Sequence, residues 1–149
     1  MANVVFGNHS SVFASQKERD NIRKFYCDVI GGHITKAEHD RDFIRLGDDF
    51  FVVFYGEVPD ENEFLRSGRS IWLELKTDDV EQMSRKILHS GLVRKLDLPD
   101  PHLYFQAPGG QCLRLVGIDE DLSAYEGVGD TPVAVKDKIK RDSSHARMV

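Results

Sequence analysis

Four short segments of this sequence carry side chains able to do chemistry. His9, Ser11 and Phe13 alternate along an apolar run and, as a strand, share one face. Trp72 and Glu74 share a face by the same spacing, as do His102 and Tyr104, while Arg114 stands between Leu113 and Leu115 and points opposite to them. An imidazole at His9 or His102 could serve as a catalytic general base, and His9, Glu74 and His102 together form a donor set suited to a divalent metal such as Zn, Ni, Mn or Fe. A guanidinium beside aromatic rings suits a planar or anionic compound instead, through stacking and paired hydrogen bonds. Each residue also has a plain structural use: a hydrogen-bonded strand histidine, a core tryptophan at the only Trp, a salt bridge between Arg114 and Glu74. His33, His39, His89 and His145 lie near turns, a helix end or the tail, where solvent-exposed histidines are ordinary.

The elements that must position these side chains follow from the hydrophobic pattern. After the strand of 4–13, apolar residues Ile22, Phe25, Tyr26, Val29 and Ile30 recur at helical spacing from Asp20 until Gly31-Gly32 stops them. Three strands are expected at 34–38, 42–46 and 50–55, giving the order βαβββ. A charged loop over 57–70 leads to an alternating strand at 71–75, and the order then repeats. A helix from Asp79 carries Val80, Met83, Ile87 and Leu88 on one stripe and ends at Gly91, and strands follow at 92–96, 102–106 and 111–116. The two helices have equal length and start about 60 residues apart, the self-similarity of a duplicated unit. The expected fold class is therefore α+β, with two βαβββ modules at about 1–56 and 70–118 forming a curved mixed sheet around a pocket, helices outside.

Composition narrows the function classes. A chain of 149 residues with 40% hydrophobic residues fits one domain with one core. Twenty Lys plus Arg against 25 Asp plus Glu give a net charge of −5, which offers no basic field for nucleic acid. No run approaches the roughly 20 apolar residues of a membrane span, and the start lacks the pattern of a leader, so a cytoplasmic protein is expected. Cys27 and Cys112 have neither zinc-site nor disulfide-framework spacing. Residues 119–149 change character: apolar residues are sparse, a short helix is possible at 133–139, and the basic run 136–141 reads as a solvated face. This extension is expected to dock on its own domain or on a second copy.

Three segments carry a resemblance. The helix Ile22-Arg23-Lys24-Phe25-Tyr26-Cys27-Asp28-Val29-Ile30-Gly31-Gly32, the stretch Leu75-Lys76-Thr77-Asp78-Asp79-Val80, and the ending from Leu103 through Ala107-Pro108-Gly109-Gly110 to Leu115 occur in order and at fitting spacing. Together they resemble the vicinal oxygen chelate superfamily, which includes glyoxalases, bleomycin-resistance proteins and dihydroxybiphenyl dioxygenases. In catalytic members the resemblance implies a divalent metal held by His and Glu in the pocket floor. Aligned on that pattern, His9 takes the first ligand position, but Trp72, Arg114 and Phe51 fall where a second His and two carboxylates are implied, and a guanidinium has no lone pair to give a metal.

The reading that follows is a small-molecule-binding protein with a degenerate metal site and no expected cofactor. Ser11, Phe13, Phe51, Trp72, Glu74, Tyr104 and Arg114 would contact an aromatic or anionic ligand. One alternative is a lyase, isomerase or dioxygenase using a rearranged metal site of His9, Glu74 and His102, or a metal-free enzyme using His9 or His102 as base. Another is an interaction module with a vestigial pocket. A homodimer is expected under each.

Overall fold

In the computed structural model, which describes residue 4 and residues 7–122, each half of the chain forms a four-stranded mixed sheet. The first module runs β1 (His9–Ser15), a 3-10 turn, α1 (Arg19–Arg23), β2 (His33–Glu38), β3 (Arg41–Leu46) and β4 (Asp49–Gly56). A linker holds α2 (Glu61–Ser67), and the second module runs β5 (Trp72–Thr77), α3 (Val80–His89), β6 (Arg94–Leu96), β7 (Leu103–Gln106) and β8 (Cys112–Gly117). The strand orders are β1-β4-β3-β2 and β5-β8-β7-β6, with the first and fourth strands of each module parallel and the other pairs antiparallel. The duplicated α+β architecture expected from the sequence is the one observed. No helix among the described residues is long and apolar enough to cross a membrane.

Local chemistry explains the elements, including two that differ from expectation. α1 continues into a π-helical turn over Lys24–Val29, closed by Ile30 N–H donating to Phe25 O at 3.1 Å. Gly31 then leaves the helix at φ 82°, which a side chain would strain. The linker is not simply a loop: Asp60 accepts from Glu63 N–H at 3.0 Å and caps α2. None of the residues of α2 is buried, so it shows no apolar stripe to read. β6 is shorter than expected because Leu92 and Val93 pack against the core instead of joining the ladder.

One core serves both modules. Tyr26 packs against Phe51 of β4 with ring centroids 5.0 Å apart, and the adjacent Phe25 packs edge-on against Phe105 of β7 at 5.7 Å. Ile44, Val53, Leu113, Leu115 and Ile87 complete the same cluster. The tight turn after β7 reaches into the first module: a Cβ on Gly109 would lie 2.7 Å from Ile22 Cδ1 and 3.1 Å from Ala14 Cβ. Leu122, the last described residue, is buried as well. The sequence-expected extension beyond it, with its helix at 133–139 and basic run at 136–141, lies outside the described residues.

A polar knot fastens the first helix to its sheet. Asp42 is 0% exposed, and its carboxylate accepts from Arg19 Nη2 at 2.8 Å, Arg23 Nη2 at 2.7 Å, Arg23 Nε at 2.8 Å and the Tyr55 hydroxyl at 2.9 Å. Arg19 also donates to the carbonyls of Glu38 at 2.6 Å and His39 at 2.7 Å, closing the β2–β3 turn onto α1. Burial alone would raise the Asp42 pKa, but the hydrogen bonds from Arg23, Arg19 and Tyr55 outweigh it and bring it down to about 2.

Removing the carboxylate leaves the guanidinium groups of Arg19 and Arg23 close together without the charge that holds them. Asp42→Ala is expected to cost about 3 kcal/mol or more in a denaturant titration, the scale for breaking a buried ion pair from one side. Because the folded pKa is depressed, the stabilisation is present above about pH 4 and is lost as pH falls toward the folded value. The variant should therefore show a flatter acid limb than the parent chain.

Candidate functional site

Side-chain alternation gives each sheet one face toward the shared core and one facing away. On the first sheet, paired residues place His9, Phe50, Arg45 and His33 in one row across the outward face. Ser11, Val52, Phe43 and Lys36 form the next row, and Phe13, Phe54, Arg41 and Glu38 the third. The cations lie on the rings: Arg45 sits 5.2 Å from the Phe50 centroid, Arg41 4.8 Å from Phe54, and Lys36 Nζ 5.6 Å from Phe43. His9 is exposed, with its Nε2 3.4 Å from the Ser11 hydroxyl. Phe13, 48% exposed, meets Phe64 of α2 edge-on at 6.1 Å.

The second sheet carries the other group of candidates on its outward face. Trp72, Glu74, Tyr104 and Arg114 come together there through the β5–β8 and β7–β8 pairings. Trp72 is 37% exposed, donates its indole N–H to Arg69 O at 2.8 Å, and meets Tyr104 edge-on at 5.6 Å. The Arg114 guanidinium donates to the Glu74 carboxylate, and Lys76 Nζ stands 3.6 Å from the other oxygen of that carboxylate. Burial opposes the Arg114 charge, yet the bonds with Glu74 and Tyr104 outweigh it and hold its pKa above the ordinary value.

The structure separates two residues from this picture. Phe51 was expected to contact the ligand, but it points to the core against Tyr26, and the outward ring is its neighbour Phe50. His102 was expected as a base or metal ligand. Its Nδ1 lies 2.5 Å from Asp100 Oδ1 and its Nε2 is bonded to Glu120 Oε1, so both nitrogens are engaged. Glu120 in turn accepts from Gly117 N–H at 3.0 Å, which ties the chain after β8 to the start of β7. His9, Glu74 and His102 are thus held in three different settings. Among the described residues no group of three His, Cys, Asp or Glu side chains is placed to hold a metal ion. Phe50 escaped the sequence reading because 50–55 is apolar throughout, so alternation there has no phase until β3 supplies one.

No family model and no curated protein matches the sequence. The structure does find relatives by shape. A protein assigned to the glyoxalase family from Bacillus anthracis superposes with a TM-score of 0.60 at 14% identity, covering 78% of this chain and 98% of its own. The bleomycin-binding protein of Streptomyces verticillus, complexed with copper(II)-bleomycin, superposes at 0.52 with 11% identity over 78% and 98%. An antibiotic-binding protein from Streptomyces sp. CB03234 gives 0.52 at 17% identity over the same shares. The chain has the vicinal oxygen chelate fold. At the positions where the sequence resemblance implies metal ligands, Arg114 offers no lone pair, Trp72 no ligand atom, and Phe51 faces the core.

The His102 clamp sets a pH dependence. Its pKa is raised, first by the hydrogen bond to Glu120, against the opposing effect of burial, and Glu120 is lowered by the same bond. A raised histidine pKa gives stability that is full below about pH 6.5 and lost as pH rises through the folded value. The carboxylate's share is present above about pH 4.5 and lost on acidification. Relative to the parent chain, His102→Gln should therefore lose melting temperature mainly on the acid side of neutrality, with the two curves converging at alkaline pH. Parallel curves from pH 5.5 to pH 9 would remove the clamp as the cause.

Proposed function

We propose that this protein binds a small aromatic or anionic compound on the surface formed by Trp72, Tyr104 and Arg114. The observation that carries this reading is the placement of a charged guanidinium and two aromatic rings on one outward sheet face. Rings supply apolar contact, while a guanidinium orients a carboxylate, sulfonate or phosphate by paired hydrogen bonds. Glu74 pairs with that guanidinium, and Lys76 offers Glu74 a second cation when a ligand takes its place. Binding by relatives of this shape, one holding copper(II)-bleomycin and one an antibiotic-binding protein, supports the class of function.

His9, Ser11 and Phe13 lie on the first sheet, and in the proposed reading they contribute the opposite wall through a homodimer. Among the described residues β1 and β5 are edge strands, each paired on one side only, and Phe13, Ile71 and Trp72 are exposed beside them. A two-fold pair that joins β1 of one copy to β5 of the other would bring the two outward faces together. Arg45 and Phe50 then add a second stacked cation to the same hollow. The free thiols of Cys27 and Cys112 agree with a cytoplasmic setting.

Trp72 is the only tryptophan in the sequence, so its fluorescence reports directly on the proposed site. Titration with an aromatic sulfonate such as anilinonaphthalene sulfonate should quench Trp72, and Arg114→Ala should weaken that binding by about 10- to 100-fold, the scale of a lost charged hydrogen bond. An unchanged affinity in Arg114→Ala would overturn the reading.

A further inference from the structure

We infer that the cleft between α2 and the second sheet is a separate binding site for a small aromatic ammonium compound. A cavity of about 300 Å³ lies there, at the small end of the range for small-molecule sites. Its walls come from Phe64 and Leu65 of α2, Leu92 and Val93 ahead of β6, and Ala107 and Pro108 of the turn between β7 and β8. None of Trp72, Glu74, Tyr104 or Arg114 lines it, so this cleft is distinct from the surface proposed above.

The polar groups of the lining decide the class of ligand. Gln106, 5% exposed, spends its amide nitrogen on Leu65 O at 2.7 Å and Gly110 O at 2.8 Å. What it has left to offer is a carbonyl oxygen, for which the described residues supply no hydrogen-bond donor. Two carboxylates join it, Glu18 from the turn after β1 and Glu61 from the first turn of α2, against the single guanidinium of exposed Arg94. Lys17 Nζ reaches Glu61 only at 3.7 Å with both groups well exposed, a contact that solvent makes weak. Acceptors beside apolar walls favour a ligand with a charged donor head and a ring: an ammonium meets Gln106 and the carboxylates, and the ring lies against Phe64, Leu92 and Pro108. An anion of the same shape would be driven towards two carboxylates and is disfavoured.

Phenethylamine, 2-phenylethanol and 3-phenylpropionate form a matched series of cation, neutral and anion. Titrated into the full chain and followed by NMR, the amine should shift the signals of Leu65, Leu92 and Ala107 and leave the Trp72 indole N–H unmoved. The acid should bind at least about tenfold more weakly, and the combined Glu18→Gln and Glu61→Gln variant should lose about tenfold for the amine, as expected for a lost charged hydrogen bond. Leu92→Trp, which fills the cavity from one wall, should abolish the shifts. The inference is overturned if the amine fails to bind by about 10 mM. It is equally overturned if the acid binds as well as the amine, if the glutamine variant keeps its affinity, or if the shifts appear at Trp72. The last outcome would leave the Trp72 and Arg114 surface standing, so the two readings fail separately.

Discussion

A buried carboxylate that accepts hydrogen bonds from two arginines and a tyrosine sets the geometry of the first module. Asp42 lies on the core-facing side of β3, where an unpaired charge would cost several kcal/mol. Arg19 and Arg23 are on the helix, Tyr55 is on β4, and Arg19 also closes the β2–β3 turn. The knot therefore fixes how the helix crosses the sheet, and with it which side of β4 faces Tyr26. Once Phe51 is committed to the core, Phe50, Val52 and Phe54 must face outward, and the rows that include His9, Ser11 and Phe13 follow from strand pairing alone. The sorting of rings and cations on that outer face is thus a consequence of an interaction on the opposite side of the sheet.

Among the described residues the second module reaches a similar layout without an equivalent knot. Leu103, Phe105, Leu113 and Leu115 of its core side pack against Ile87 and the helix of the first module, with exposed Lys95 at the edge of that row. On the outward face Arg114 and Glu74 partner each other beside Trp72 and Tyr104. A partly exposed ion pair of this kind adds little to stability, and its partners can be exchanged for a ligand at modest cost. The buried pair in the first module serves architecture, whereas the partly exposed pair in the second is the one the proposed binding function draws on.

The histidines show how residue type alone misleads. His9 and His102 both sit where a base or a metal ligand is plausible from sequence. In the fold His102 is gripped through both ring nitrogens by Asp100 and Glu120, while His9 stays exposed with Ser11 as its neighbour. Glu120 lies beyond the last strand, so no spacing argument within the strands could pair it with His102. The shape comparisons place the fold among glyoxalase-like and antibiotic-binding proteins.

The sequence by itself determined the order βαβββ twice over, because helical stripes, glycine stops and alternating strands are local signals that recur with the same spacing. It also determined that Trp72 and Glu74 share a face, since period-two alternation is local as well, whereas Arg114 joins them only through the β5–β8 pairing. Tertiary structure alone decided the phase of β4, whose apolar run reads the same from either side, and the presence of α2, whose Phe64 and Leu65 are only half-buried. It alone decided the fate of His102, which depends on a carboxylate 18 residues away. The difference is physical: periodicity is written in neighbours along the chain, whereas the facing of a uniformly apolar strand and the pairing of charges are set by partners that only folding brings near.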